Sequence, residues 1–316
     1  PIERLVTMVQ KEVAVRMTAR PGSKDYGALS VAVQYFTVPR MVMDVPPRSF
    51  LPAPEVTSAV IACHVQDVPT VQPHDEKLFF RLVRAALGLV FTEHLDYDFP
   101  SAGTEEFIFD PEAYWTKYEP LRAGGTLSLG VEMGMMASAR EKNAAFLRRV
   151  PFDFVLASIH FLDVKDLYYP ETFEGREKGE MYHEYFTVMR DEIYAHPFIN
   201  ALAHIDYIAR NAPFDNPEIS YGEFTEDIDA VLRALIETET AIEINTRRLS
   251  VPRAIKELAP VYCRYHELGG RYVTIGSDAH VPEGVGRNYV RARELAATFD
   301  LTVVTFREQK MMNCEN

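Results

Sequence analysis

Residues 272–280 read YVTIGSDAH: a short run rich in β-branched and aromatic residues, a Gly-Ser turn, then an acid and an imidazole. Such a run predicts a strand, and the polar pair sits at its C-terminal end. The same pattern recurs upstream. LVFT runs into Glu93 and His94, LGV into Glu132, LASI into His160, and LA into His204. Strands are predicted at Leu89–Thr92, Thr126–Glu132, Phe154–His160, Asn200–His204, Ala241–Asn245, Tyr272–Ser277 and Leu301–Thr305. Amphipathic stretches between them predict helices, among them Ser138–Arg149, Met181–Ala195, Tyr221–Glu237 and Pro252–Leu268. Strand–helix alternation of this kind implies a parallel sheet, open or closed. In a closed one the C-terminal strand ends converge on a single mouth, where such barrels do their chemistry.

His94, Glu132, His160, His204, Asp278 and His280 all fall at those ends. Any one histidine read alone is more simply a buried or surface residue without a metal. Six ligand-type side chains at strand ends point instead to a shared centre for zinc, manganese or iron. A carboxylate such as Glu132 can bridge two ions, and clustered ions activate water and clamp phosphate oxygens. Arg210, Arg247 and Arg248 follow strand-end motifs and are candidates for holding the phosphate.

The 316 residues carry a net charge of -13, which argues against a general nucleic-acid surface. The charge is uneven: residues 1–88 sum to +2 and residues 89–316 to -15, which suggests two segments. No apolar run approaches the roughly 20 residues of a membrane helix, so no membrane partner is expected. The N-terminal stretch lacks the features of a signal peptide. Cys63, Cys263 and Cys314 are too few and scattered for a disulfide framework, so a cytoplasmic setting is expected.

FTEHLDY, GVEMG, SIHF, LAHIDYIAR, AIEINT and GSDAHVPEGVG, in this order, resemble the polymerase-and-histidinol-phosphatase (PHP) superfamily, in particular its histidinol-phosphate phosphatases. The resemblance covers about residues 86–316. It implies a distorted (β/α)7 barrel with a trinuclear metal centre that hydrolyses L-histidinol phosphate to L-histidinol and phosphate in histidine biosynthesis. His94, Glu132, His160, His204, Asp278 and His280 would be its metal ligands, with Glu132 bridging. The family also begins with a strand carrying His-x-His, and this chain contains no His-x-His. The barrel is therefore expected to be incomplete, to bind fewer than three divalent ions and to act weakly or not at all on its small phosphorylated substrate.

MVQKEVAVRM, SKDYGALSVAVQYF and DVPPRSFLPAPEVTSAVI resemble a different family, the KsgA-type 16S rRNA adenine dimethyltransferases, over about residues 1–86. This implies the last strands of a Rossmann-like methyltransferase sheet plus one helix, Asp75–Leu87. That family's glycine-rich loop, ribose-binding acid and Asn-Leu-Pro-Tyr motif are not found here, so no S-adenosylmethionine binding is expected. The expected domains are residues 1–88, dimethyltransferase-like, and 89–316, the phosphatase-like barrel. The chain reads as the tail of one enzyme joined to most of another, and the initial Pro1 suits a fragment. The alternative to a phosphatase is a methyltransferase-derived module, or a fused product without turnover. The helix Asp75–Leu87 is expected to cover part of the space left by the missing first strand, because exposed strand edges invite aggregation.

Overall fold

The computed structural model describes residues 3–314 except 21, 22, 24, 26, 53, 55, 67, 70–88, 99–106, 123–126, 163, 164, 282 and 283. The predicted helix Asp75–Leu87 lies outside the described residues. The chain divides into two compact units, Pro1–Leu87 and Gly88–Asn316.

The first unit contains β1 (Arg4–Gln10), α1 (Lys11–Thr18), α2 (Ala28–Phe36), β2 (Thr37–Val45) and β3 (Ser58–Val65). β3 is central and pairs antiparallel with both neighbours. Ala59 and Ile61, two apart and so on one face, pack with Ala14 of α1 and with Val9, Met17 and Met41. The loop after β2 makes one 3-10 turn at Pro47–Ser49.

The second unit alternates strands and helices. Its elements are β4 (Leu89–Leu95), α3 (Pro111–Arg122), β5 (Leu127–Gly134), α4 (Arg140–Leu147), β6 (Phe154–Ser158), β7 (Phe161–Leu162), β8 (Lys165–Asp166), α5 (Lys178–Ala195), β9 (Ala201–Leu202), α6 (Thr225–Glu237), β10 (Ala241–Asn245), α7 (Pro252–Glu267), β11 (Tyr272–Gly276), α8 (Tyr289–Thr298), β12 (Thr302–Arg307) and β13 (Lys310–Asn313). β7 and β8 form a small hairpin. The others make an eight-stranded sheet, order β13-β12-β11-β10-β9-β6-β5-β4, parallel except for β13.

Period-two alternation separates two cores. Leu129, Val131, Val155, Ala157, Ile242, Ile244 and Val273 face the helices in the larger cluster. Phe154, Leu156, Ala201, Ala203, Ala241, Val304 and Phe306 form a separate cluster with Val90, drawing on strands from both halves of the order. The sheet therefore curls on itself with this second cluster inside. Phe154 of β6 stacks on Phe306 of β12 with centroids 5.3 Å apart. Buried Asp153 fastens the same end. It accepts hydrogen bonds from Arg122 at 2.6 and 2.9 Å, from the Leu129 amide at 2.8 Å, and from the Glu308 amide in the β12–β13 turn at 3.0 Å. Apolar packing and this carboxylate close one end of the barrel, leaving the polar inward positions at the other.

Candidate metal centre

The alternation that sends Leu129, Val131 and Met133 of β5 outward turns Glu132 inward. Three imidazoles surround its carboxylate. Oε1 lies 2.9 Å from His204 Nε2 and 3.4 Å from His160 Nε2, and Oε2 lies 3.8 Å from His94 Nε2. One ligand atom from each of His94, Glu132 and His160 falls within 4.8 Å of the other two. Two imidazoles and a carboxylate at this spacing suit a divalent ion, because three protein ligands leave a further position for water. Burial pushes the Glu132 carboxyl up, but hydrogen bonds from His160 and His204 overcome it and hold the group well below the usual carboxylate range. The ligand is thus kept anionic.

His94 is the inward residue near the end of β4, paired in register with Glu132. His160 lies two residues past β6 and His204 two past β9. The sequence placed both histidines inside their strands; here the strands stop short and the histidines sit on the turns above them. Burial works against protonating His160, yet Asp96 and Glu132 at its two nitrogens push it up to about 10. Burial and Arg210 instead lower His204.

Two carboxylates without a role in the sequence reading stand behind these ligands. Asp96 contacts His160 Nδ1 at 3.0 and 3.2 Å. Glu243 accepts the His204 amide at 2.9 Å and Asn245 Nδ2 at 3.0 Å, and its burial pushes its carboxyl up to about 7. Each occupies room kept by a glycine. A Cβ on Gly134 would overlap Asp96 Oδ1, and one on Gly276 would overlap Glu243 Oε1. The signal for both carboxylates was parity: Asp96 follows His94 by two, and Glu243 precedes Asn245 by two.

Asp278, in a left-handed backbone conformation (φ 48°), is engaged by basic side chains. Its carboxylate lies 2.6 Å from Arg210 Nη1, 3.5 Å from Arg247 Nη1 and 3.4 Å from His280 Nδ1. His280 is more exposed, and its ring lies 5.4 Å from that of His94. Arg210 is half-buried, and its buried Nε and Nη2 find no hydrogen-bond partner among the described residues. Its guanidinium stacks over Tyr207, which in turn packs against His160 and His204 at 4.9 and 5.0 Å. Arg248 turns elsewhere, donating to Asp206 at 2.8 Å and to Glu218 at 2.7 and 2.8 Å. Exposed His183 pairs with Asp227 at 2.8 Å on the helical layer, away from the cluster's ion pairs.

Two known families match the chain, and their matches overlap at residues 82–107, across the boundary between the two units. "PHP domain" matches residues 82–247 and "Ribosomal RNA adenine dimethylase" residues 1–107. A probable histidinol-phosphatase of Clostridium acetobutylicum is 41% identical over 225 residues, 71% of this chain and 87% of that protein. The histidinol-phosphatase of Lactococcus lactis is 30% identical over 217 residues, 66% of this chain and 78% of that protein. The crystal structure of the Lactococcus lactis histidinol phosphate phosphatase, complexed with zinc, L-histidinol and phosphate, matches with a TM-score of 0.67 at 28% identity, covering 74% of this chain and 92% of that one. Ribosomal RNA small subunit methyltransferase A of Alkaliphilus oremlandii is 52% identical over 88 residues, but the chain spans only 31% of its length. The chain therefore belongs to the PHP family and carries, N-terminal to its PHP domain, a fragment of the ribosomal RNA adenine dimethylase type.

Proposed function

We propose that the chain is a metal-dependent phosphomonoester hydrolase whose substrate is L-histidinol phosphate, with a centre that holds fewer than three ions. The observation that carries this is the Glu132 carboxylate ringed by His94, His160 and His204 at the open end of the barrel. The substrate class is supported by the histidinol and phosphate bound in the Lactococcus lactis structure.

A bound divalent ion would make water a better nucleophile and neutralise phosphate oxygens. Glu132, His94, His160 and His204 would hold it, with Asp278 and His280 completing the mouth. Glu132 offers an oxygen to either side. Arg210 and Arg247 would hold the phosphate. Nε and Nη2 of Arg210, without a partner among the described residues, are two donors of one planar fork, which matches two phosphate oxygens. Arg248 would act one step back: bound to Asp206 and Glu218, it braces the chain just after His204.

The chain has no His-x-His, so at least two imidazoles of the family's pattern are missing. The test is elemental analysis of purified protein together with phosphate release from L-histidinol phosphate in Mn²⁺ or Zn²⁺. The same assays are then run on a chain carrying an added His-x-His strand. Fewer than three ions, and turnover that rises only with the added strand, are expected. Three ions with turnover of about 1–10³ s⁻¹ in the unaltered chain would overturn the impairment. Absence of phosphate release from both chains would overturn the substrate.

A further inference from the structure

We propose that Asp96 is a positioning residue for the metal ligand His160, fixing the ring so that its Nε2 points at the site shared with Glu132. The inference rests on the reading that the centre holds a metal.

Asp96 begins as a consequence of strand parity. Thr92 and His94 point into the barrel from β4, and Asp96, two residues on, follows them inward. Its amide is tied to the Phe107 carbonyl at 3.0 Å, which anchors the backbone just past the strand. The side chain is 3% exposed, and a carboxylate that dry needs a partner. Among the described residues its ion pair is with His160 alone, at 3.0 Å from Oδ1. Both oxygens bracket Nδ1, so the ring cannot turn without losing both contacts.

The other ring nitrogen then has one direction to face. His160 Nε2 lies 3.4 Å from Glu132 Oε1, within the three-ligand group. Ser158 Oγ also approaches Nδ1 but at 3.4 Å, a weaker hold than the carboxylate's. Gly134 supplies the independent sign that the space belongs to Asp96. It lies at the end of β5 beside the cluster, and any side chain there would displace that carboxylate. One strand end therefore serves both flanks of Glu132: His94 directly, and His160 through Asp96.

The test is Co²⁺ titration of the purified chain, followed by visible absorption, with melting of the metal-free protein measured in parallel. Asp96→Asn keeps the volume and one acceptor but removes the charge. It is expected to weaken Co²⁺ binding by about 10–100-fold and to alter the Co²⁺ absorption band, as loss of such a supporting carboxylate does, while the metal-free melting curve stays cooperative. Gly134→Ala keeps Asp96 itself and displaces its carboxylate, so it should produce the same loss. It also answers the question if Asp96→Asn fails to fold. Binding by either folded variant within about twofold of the native chain, where 10-fold or more is expected, overturns the proposal and leaves the metal centre standing. A native chain that binds no Co²⁺ overturns both.

Discussion

Glu132 owes its properties to three imidazoles, since burial by itself would favour its neutral form. Glu132→Gln keeps the shape and removes the charge. It is expected to abolish metal retention, a larger loss than the roughly 10–100-fold of a supporting residue, as read by elemental analysis after dialysis. A Glu132→Gln variant that still holds stoichiometric zinc would contradict the assignment. Gly276 has a different role, since it makes room for Glu243. Gly276→Ala should cost about 1–3 kcal/mol, the usual penalty of overpacking, measured by urea unfolding. At this scale the sequence was readable where a ligand-type residue closed an apolar run, as with His94, Glu132, His160 and His204. Asp96 and Glu243 escaped because only their parity with a neighbouring inward residue marks them, and neither closes an apolar run. The ion pair between Arg210 and Asp278 escaped too, because it joins two loops that are 68 residues apart in the chain and no spacing announces it.

Elements were legible in proportion to how regular their patterns are. The strand Ala241–Asn245 has the predicted bounds, and α7 ends one residue before its predicted Leu268. α3 went unread because Pro120 interrupts it, although its start is written plainly: Pro111 opens the helix and Asp110 Oδ1 accepts the amides of Glu112 and Ala113 at 3.0 Å. β9 shrinks to Ala201–Leu202 because the chain must turn to present His204. The closure by Asp153 is an element-level device, binding α3, β5 and the β12–β13 turn. Asp153→Ala leaves Arg122 without its buried partner and should cost about 3–5 kcal/mol in denaturant unfolding. Past the end of α5, fully buried His196 contacts the Glu192 carbonyl through Nδ1 at 2.9 Å. Burial lowers its pKa below the usual 6.5. Below 6.5 the unfolded chain takes up a proton that the folded chain refuses, so stability falls as pH drops toward the depressed value. Lowering the pH from 7.5 to 5.5, roughly the range spanning an ordinary histidine pKa, should reduce the urea midpoint more in the native chain than in His196→Gln. Equal slopes would remove His196 as the cause.

At the scale of the whole molecule, the charge step near Gly88 was legible because two unrelated stretches differ in composition, net +2 against -15. The small core of the first unit has physical consequences. Among the described residues its buried cluster is Ala14, Ala59 and Ile61, while the two clusters of the second unit bury Leu129, Phe186, Phe306 and many others. Small units bury too little surface to be more than marginally stable. Brief trypsin treatment should therefore degrade the first unit and leave a protected fragment beginning near Gly88, identified by mass. Survival of both units at equal rates would show that the first is stabilised by something beyond its own core. The residues present in the first unit also bear on what these 316 residues can bind. It is 52% identical to the Alkaliphilus oremlandii methyltransferase over 88 residues, yet the chain spans 31% of that protein and contains no Asn-Leu-Pro-Tyr motif. A nucleoside cofactor is held by a tight glycine turn and by an acid on its ribose. With neither present in these 316 residues, equilibrium dialysis with S-adenosylmethionine should detect no saturable binding. Saturable binding by the whole chain, lost in the protected fragment that begins near Gly88, would mean that the first unit, with its three-stranded β1–β3–β2 sheet, carries a cofactor site built without either device.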